Sequence, residues 1–234
     1  MFDKMQALGY KSKGFDTVYH LPLAVAVNRY DKIEISSSDQ AKYGSDISFV
    51  GNLYSDDFRK YISPLNDYQK GYLEAIASCQ KQLYGCYILD EIIDEKLVDE
   101  INKSYQDKCP GTEFRMNSAA LKFAMASNIT RDERLTLLGL LSKFHSLNYY
   151  SKEKNIILEN ANFKGYCDYY NEMPKVFKCS KINLNISLKA IQTGIPLRAL
   201  DVMGSGGFLL SNYQEELAEN FTDGVDLILY SSIE

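Results

Sequence analysis

Apolar positions along the chain change their spacing, and the change predicts a mixed α/β protein. The run from Ile47 to Gly51 is short, apolar and closed by a glycine, which is typical of a buried strand in a parallel sheet. From Leu65 to Leu83 the apolar positions step by three or four, which predicts an amphipathic helix. The same spacing continues through Ile93, Leu97 and Ile101 and predicts a second helix, and a third is predicted over 113–127.

The second half of the chain alternates shorter segments. Thr130 to Glu133 matches a capping box, which predicts that a helix begins there. After it, strands are predicted at 145–150, 155–159, 164–168, 181–186, 207–211 and 226–230, with helices at 171–178, 196–203 and 213–220. Repeated strand–helix–strand spacing predicts an α/β fold with a Rossmann-like parallel sheet, helices on both faces and a helical elaboration at about 65–128.

The beginning of the chain differs from the rest. Tyr19 to Val27 is apolar and predicts a strand, or part of one, interrupted at Pro22. The polar stretch from Ser36 to Asp46 reads as a linker. We therefore expect residues 1–36 to be the remnant of a preceding N-terminal domain or a linker, and residues 37–234 to be the main domain.

Composition narrows the possible partners. The 234 residues include 26 Lys+Arg and 31 Asp+Glu, for a formal net charge of -5. There is no basic block, so no nucleic-acid partner is expected. The longest apolar run, Leu21 to Val27, is too short for a transmembrane segment, and the polar start is not a secretory signal. A cytoplasmic protein is expected.

Cysteine and histidine usage argues against a metal centre. The five cysteines include no Cys-x-x-Cys pair, and the chain has two histidines, His20 and His145. Zinc sites need closely spaced ligands of these types, so no metal site is expected. We expect reduced and mostly buried thiols.

One loop and the helix after it carry the strongest chemical signal. A strand ends near Ser187, the chain passes Gly194, and Pro196 starts a helix. A helix start exposes free N–H groups and a positive dipole end, which suit a diphosphate. Arg198 in the first turn adds a forked donor, and Asp201 one turn later could accept hydrogen bonds from a ribose diol. Alternatively, these two residues pair on an exposed helix face.

A glycine-rich stretch nearby has a simpler interpretation. Gly204 to Gly207 looks like a phosphate loop, but it follows a predicted helix where a phosphate loop precedes one. It therefore favours a helix C-cap and a turn into the next strand. Ligands of open α/β sheets lie beyond the carboxyl ends of the strands, so the loops after Val50, Asp168, Ile186 and Leu210 are the places to search.

Several segments, in a consistent order, resemble a known family. Residues 165–230 are similar to the nucleotide-sugar-binding half of GT-B glycosyltransferases, and most of the chain resembles the spore-maturation-protein-B-like glycosyltransferases. The segments that carry the resemblance are Val18 to Ala24, Ile47 to Tyr54, Tyr169 to Pro174, Ser180 to Asn185, Gly194 to Asp201 and Gly206 to Leu210.

The resemblance implies a donor site. It puts the loop after Gly51, with Asn52, near the donor phosphates, and it puts Tyr169 and Tyr170 beside the base. Gly194, Ile195 and Arg198 would face the diphosphate and sugar, and Asn185 joins this donor-binding set. Asp201 stands where retaining members have the second glutamate of a Glu-x7-Glu pair. Thr193 occupies the position of the first glutamate, and Pro196 offers no amide to a phosphate.

The function implied is the donor-binding part of a glycosyltransferase, an enzyme that transfers a sugar from a nucleotide diphosphate sugar to a glycan, protein or small-molecule acceptor. No tightly bound cofactor is expected. Arg198 would stabilise the leaving diphosphate, and His20 is a candidate general base unless it is structural, which is the interpretation favoured for His145.

The chain also looks truncated relative to this family, since only residues 1–36 precede the donor-type domain. An alternative function is therefore a non-catalytic nucleotide-sugar-binding or interaction module left by loss of the acceptor domain. In that case the apolar segment from Leu21 to Val27 would form a partner surface, and a homodimer is a possible assembly.

Overall fold

The computed structural model describes residues 1–55, 58–111 and 113–233. Its helices are α1 (Lys4–Ser12), α2 (Val27–Tyr30), α3 (Ser37–Tyr43), α4 (Phe58–Ile62), α5 (Asp67–Gln82), α6 (Leu89–Ile92), α7 (Glu95–Lys108), α8 (Ser118–Leu141), α9 (Met173–Cys179), α10 (Leu197–Gly204) and α11 (Glu215–Asn220). Its strands are β1 (Ser45–Val50), β2 (Leu147–Tyr150), β3 (Asn162–Phe163), β4 (Ser180–Asn185), β5 (Leu209–Asn212) and β6 (Ile228–Tyr230). Along these ranges no helix has both the length and the apolar character needed to cross a bilayer.

All of these strands belong to one parallel sheet. Their order is β3-β2-β1-β4-β5-β6, and each neighbouring pair runs parallel. The Rossmann-like α/β fold predicted from the alternation of segments is confirmed. From β1 the chain first adds strands on one side of the sheet (β2, β3) and then on the other (β4, β5, β6). The loops that follow β1 and β4 therefore diverge, and a crevice opens between them at the carboxyl ends of the strands.

Helices cover both faces of this sheet. Phe49 of β1 belongs to a core that includes Leu138 of α8, whereas the adjacent Val50 belongs to a second core with Val176 of α9 and Val202 of α10. Successive side chains of a strand point to opposite faces, so the two cores lie on opposite sides of the sheet.

The chain divides into two compact units. The first comprises Met1–Leu53, Arg134–Ser187 and Ile191–Glu234 and contains the sheet, and the second comprises Tyr54–Glu133 and Leu188–Ala190. The described part of the second unit is helical and has an apolar core of its own, formed by residues such as Leu73, Ile101 and Met125. The two amphipathic helices predicted from residue 65 onward are confirmed as α5 and α7.

Local capping signals fix several element boundaries. Ser36 and Asp39 form a capping box at the start of α3, and Asn66 with Gln69 forms one at the start of α5. The linker predicted from Ser36 to Asp46 is therefore wrong, because its polar residues cap and form α3 and lead into β1. At the other end of a helix, α10 stops at Gly204 and Gly206 adopts a φ of 76° before the chain enters β5. The predicted C-cap and turn at Gly204 to Gly207 is therefore confirmed.

The helix start predicted at Thr130 to Glu133 is wrong, because these residues lie inside α8. The Thr130 hydroxyl donates a 2.8 Å hydrogen bond to the carbonyl oxygen of Ala126, one turn earlier. Within a helix, a threonine hydroxyl can donate to a backbone carbonyl one turn earlier, so the residue types of a capping box do not by themselves mark the start of a helix. The third predicted helix consequently begins at Ser118 and continues to Leu141.

Three predicted strands differ from the structure. The segment from Tyr19 to Val27 is not a strand: Pro22 has no amide to donate, and Leu21 is 75% exposed. Residues 155–159 contain a 3₁₀ helix at Ile156–Leu158. Residues 164–168 are not a strand either: the short strand β3 ends before them, and Gly165 with a φ of 77° breaks the extended chain.

The burial of the cysteines also differs from expectation. All five are free thiols, but Cys79, Cys86 and Cys109 are exposed. Cys167 is half-buried and Cys179 is buried, and both lie in the first unit.

Candidate functional site

A cavity of about 190 Å³ opens at the carboxyl-end edge of the sheet in the first unit. Segments that follow neighbouring strands form its wall together with the first turn of α10. The residues that line it are Val50, Gly51, Asn52, Tyr150, Ser151, Lys152, Tyr166, Cys167 and Arg198. Three of the residues predicted for the donor site, Gly51, Asn52 and Arg198, therefore meet in one cavity.

Gly51 makes room for this cavity. A Cβ atom at this position would lie 3.0 Å from the ring of Phe49 and 3.6 Å from Nη1 of Arg134. The Gly51 amide donates a 3.0 Å hydrogen bond to the carbonyl oxygen of Tyr150 and extends the β1–β2 ladder by one step. Gly51 therefore contributes to the site by leaving space where a side chain would stand. Its N–H is not available to a ligand, because it already donates to Tyr150.

Arg134 joins two of the loops at the strand-order reversal. Its Nε donates a 3.1 Å hydrogen bond to the carbonyl oxygen of Ile186, just after β4. Its Nη1 donates to the carbonyl oxygen of Asn52, just after β1. The side chain is 7% exposed, so a buried fork holds the ends of β1 and β4 in register. Sequence reasoning missed Arg134, since no local pattern separates it from Arg131.

Arg198 is held in place by its own helix and by α9. Its Nη1 lies 3.4 Å from Oδ2 of Asp201 and also contacts the sulfur of Met173. The guanidinium carbon stands 5.9 Å from the ring centroid of Phe177. Because the side chain keeps 29% of its surface exposed, it is anchored at one side and open to the cavity at the other.

Asp201 is the centre of a buried hydrogen-bond cluster. Its Oδ1 accepts hydrogen bonds from the hydroxyl groups of Tyr30 at 2.8 Å and Tyr169 at 3.0 Å. Asp201 is only 1% exposed. Burial and the neighbouring carboxylate raise the pKa of Tyr30 above its ordinary value, so this phenol remains a donor. Each carboxylate oxygen thus has a partner within the chain, and the pairing of Arg198 with Asp201 is partly buried.

Comparison with known families adds to this geometry. A family model described as glycosyl transferase-like matches residues 117–234, just over half of the chain. The chain belongs to the glycosyl transferase-like family. No curated protein and no solved structure matches it. The glycosyl transferase-like segment includes Tyr150, Lys152 and Arg198 of the cavity, while Gly51 and Asn52 precede it.

Tyr150, which the sequence did not single out, lines the cavity of this glycosyl transferase-like chain and carries a buried hydroxyl. Tyr150 is 5% exposed, and its Oη finds no hydrogen-bond partner among the described residues. Burial raises the pKa of Tyr150, so the group keeps its proton and remains a donor. A buried polar group without a partner is rare in folded proteins, which makes this hydroxyl a group to test for a ligand contact.

The charge of the lining suits an anion. Lys152 and Arg198 supply two cations, and the described lining residues include no carboxylate. Burial raises the pKa of the Cys167 thiol to about 12, so it is a neutral group at pH 7. Lys152 and Cys167 were also missed by sequence reasoning, because a lone exposed lysine and a lone cysteine carry no local signal.

The two predicted base-stacking tyrosines occupy different environments. Tyr169 binds Asp201, and its ring meets that of Tyr170 edge to face at 5.1 Å between centroids. Tyr170 is 62% exposed, and the guanidinium carbon of Arg29 lies 4.3 Å from its ring centroid. Neither Tyr169 nor Tyr170 lines the cavity, whereas the neighbouring residues Tyr166 and Cys167 do.

Asn185 and Ile195 are buried within the first unit. The side-chain amide of Asn185 donates to Ser187 at 3.1 Å and to Ser211 at 2.8 Å, and it links the ends of β4 and β5. Ile195 is 6% exposed and packs in the apolar core beneath α10. Both help to set the course of the loop between β4 and α10.

That loop contacts the N-terminal segment. The Gly194 amide donates to Oδ2 of Asp3 at 3.3 Å, and the Thr193 hydroxyl donates to Oε1 of Glu216 at 3.0 Å. The other oxygen of Glu216 lies 3.1 Å from Nε2 of His20, whose side chain is 30% exposed. His20 is therefore fixed by a buried carboxylate, in a cluster with Thr193 and Asp3.

Proposed function

We propose that this chain is the donor-binding part of a GT-B glycosyltransferase, similar to the spore-maturation-protein-B-like enzymes, and that it transfers a sugar from a nucleotide diphosphate sugar. The observation that carries the proposal is the cavity beyond β1 and β2, with Arg198 anchored by Asp201 at its wall. Membership of the glycosyl transferase-like family and the strand order support it.

The chemistry that we propose is electrostatic. Transfer breaks the bond between the anomeric carbon and the diphosphate oxygen, and a new bond forms to the oxygen of the acceptor. Negative charge therefore collects on the leaving diphosphate, where fixed cations and N–H donors lower the barrier. We assign this role to Arg198, which is paired with Asp201, and to Lys152; the described residues that line the cavity include no carboxylate.

Two further roles belong to the proposal. Tyr150 donates a hydrogen bond to an acceptor atom of the bound donor, since its buried hydroxyl has no partner among the described residues. His20 remains the proposed base for the acceptor hydroxyl, with its Nε2 oriented by Glu216, although it is not among the residues that line the cavity. In this proposal Asp201 does not contact the donor and affects its binding by holding Arg198 in position.

Calorimetry with uridine and guanosine diphosphates and their sugar conjugates tests the proposal. We expect at least one of these compounds to bind, and we expect Arg198→Ala to weaken that binding by about 1–3 kcal/mol, the scale for losing a charged hydrogen-bond partner. Arg115→Ala is the control, because Arg115 is exposed and belongs to the second unit. The proposal would be contradicted if none of the compounds binds.

A non-catalytic binding module is the second candidate function. The observation that favours it is the exposure of apolar side chains in the N-terminal segment, with Tyr19 at 69% and Leu21 at 75%. Such a surface suits contact with another polypeptide, including a second copy of the chain. Both functions predict donor binding, and only the enzyme transfers or hydrolyses the sugar, so an assay for released nucleoside diphosphate distinguishes them.

A further inference from the structure

Three consecutive backbone amides converge on one carboxylate oxygen at the loop between β4 and α10. The amides of Gln192, Thr193 and Gly194 donate to Oδ2 of Asp3 at 2.6, 3.1 and 3.3 Å. Asp3 is fully buried. Successive N–H groups that point to a single atom form an anion-binding concavity, and here the anion comes from the chain itself.

The loop is shaped for close approach of this segment. A Cβ atom on Gly194 would lie 3.0 Å from Cα of Asp3 and 3.0 Å from the carbonyl oxygen of Phe2. Such contacts are tighter than ordinary packing allows, so the glycine lets the N-terminal backbone rest against the loop. The convergent amides and the glycine that admits the N-terminal backbone together hold the Asp3 carboxylate at this loop.

The segment that supplies the carboxylate is weakly held by apolar contacts. Ala7 is the buried residue of α1, whereas Met5 is 47% exposed and Leu8 is 49% exposed. Oδ1 of Asp3 accepts a 3.0 Å hydrogen bond from the Gln6 amide and caps α1. Hydrogen bonds hold the segment instead: the Lys4 amide donates to Oε1 of Glu216 at 3.1 Å and the Met5 amide to Oγ1 of Thr193 at 3.4 Å. A ligand that displaces Asp3 must compensate for these polar contacts, whereas few apolar contacts resist local opening.

We propose that the amides of Gln192, Thr193 and Gly194 form an oxyanion-binding site, and that Asp3 is an internal ligand which a phosphate or carboxylate group of a substrate displaces. The N-terminal segment from Phe2 to Ser12 then acts as a strap that lowers the affinity for that substrate. That the competing oxyanion is carried by a sugar donor rests on the proposed function, whereas oxyanion binding by the amides does not.

Asp3→Ala tests the site directly, because it removes the internal carboxylate and leaves the amides in place. We expect a lower Tm than in the wild-type chain, and we expect added inorganic phosphate or sodium formate to raise the Tm of the variant by about 2–4 °C, since a ligand that fills the site stabilises the folded state. A rise in Tm with phosphate but not with formate would assign the site to phosphate groups. A rise with formate but not with phosphate would assign it to carboxylates. Asp16→Ala is the matched control at an exposed aspartate and should show neither effect.

Hydrogen exchange of the wild-type chain with inorganic pyrophosphate tests displacement and does not depend on a variant that folds. We expect the amides of α1 to exchange at least about threefold faster with pyrophosphate, while the amides of residues 192–194 stay protected. Gly194→Ala should produce faster exchange in α1 without any ligand, since its Cβ would push the segment away.

Two results would overturn the inference: no anion-dependent rise of Tm in Asp3→Ala, or unchanged exchange of α1 in the presence of pyrophosphate. Either result would make Asp3 a permanent structural anchor. If nucleotide sugars do not bind but phosphate or formate still raises the Tm of Asp3→Ala, the proposed function alone is contradicted. The two failures are therefore distinguishable.

Discussion

Tyr30 and Asp201 are joined by a buried hydrogen bond of 2.8 Å across 171 residues of sequence. Tyr169 donates to the same oxygen of Asp201, and Arg198 pairs with the other. One carboxylate thus ties the N-terminal segment and the chain before α9 to the helix that carries the cavity arginine. The arrangement makes Asp201 a positioning residue as well as a stabilising one.

Asp201→Ala should lower both the free energy of unfolding and the affinity for a donor. The change leaves the hydroxyl groups of Tyr30 and Tyr169 buried without an acceptor, which costs about 1–3 kcal/mol. It also frees Arg198 to leave the cavity wall. Urea denaturation and calorimetry with a nucleoside diphosphate measure the two effects. Tyr30→Phe is the matched control, because it removes one hydrogen bond and leaves the pair of Arg198 and Asp201 intact; equal stability of Asp201→Ala and wild type would contradict the prediction.

Tyr150→Phe should separate ligand binding from stability. The hydroxyl has no partner among the described residues, so its removal leaves the free energy of unfolding unchanged or slightly higher. If it donates to a bound ligand, the affinity for that ligand falls by about 0.5–1.5 kcal/mol. Tyr43→Phe is the contrasting variant, because Tyr43 donates a 2.8 Å hydrogen bond to Glu172 and its loss should reduce stability. Unchanged ligand affinity in Tyr150→Phe would rule out the proposed donor role.

Arg134→Lys should destabilise the chain although it keeps the charge. A lysine ammonium cannot reproduce the fork that reaches the carbonyl oxygens of Asn52 and Ile186 together. We expect a loss of about 1–3 kcal/mol in the free energy of unfolding, because a buried acceptor is left without its donor. Arg131→Lys serves as the neighbouring control. Thermal denaturation measures both, and indistinguishable curves for the two variants would show that the fork is dispensable.

Cys167 should resist alkylation at about pH 8 and become reactive only as the pH rises. Burial raises the pKa of the Cys167 thiol to about 12, well above the ordinary value for cysteine, and the thiolate is the reactive form. Below that pKa the thiolate fraction grows about tenfold per pH unit. Because the folded pKa lies above the unfolded one, the stabilising contribution is present below about pH 9 and is lost as the pH rises towards 12.

Iodoacetamide labelling followed by peptide mass spectrometry checks this pH dependence. The exposed thiols Cys79, Cys86 and Cys109 provide the internal comparison and should react first. Saturating nucleoside diphosphate should slow the labelling of Cys167 further if the ligand fills the cavity that it lines. Labelling of Cys167 at the rate of the exposed thiols would contradict both its burial and its raised pKa.

Local signals were reliable where the apolar pattern of a single segment is enough to identify it as a buried strand or an amphipathic helix. The apolar run from Ile47 to Gly51 predicted β1, and the heptad-like spacing after Leu65 predicted α5. The same logic failed at Thr130, because a hydroxyl can bond to the carbonyl one turn earlier as readily as cap a new helix. It failed again from Tyr19 to Val27, where apolar character is not accompanied by a neighbouring strand.

The sequence by itself determined the fold class and most of the helices and strands of the sheet unit, since periodicity, glycines and capping residues act within a few residues. Only the tertiary structure decided what those residues meet. The fork of Arg134, the unpaired hydroxyl of Tyr150 and the carboxylate of Asp3 among the amides of residues 192–194 all join distant segments. Their energies depend on burial and on partners brought together by the sheet, and neither quantity is encoded in local spacing.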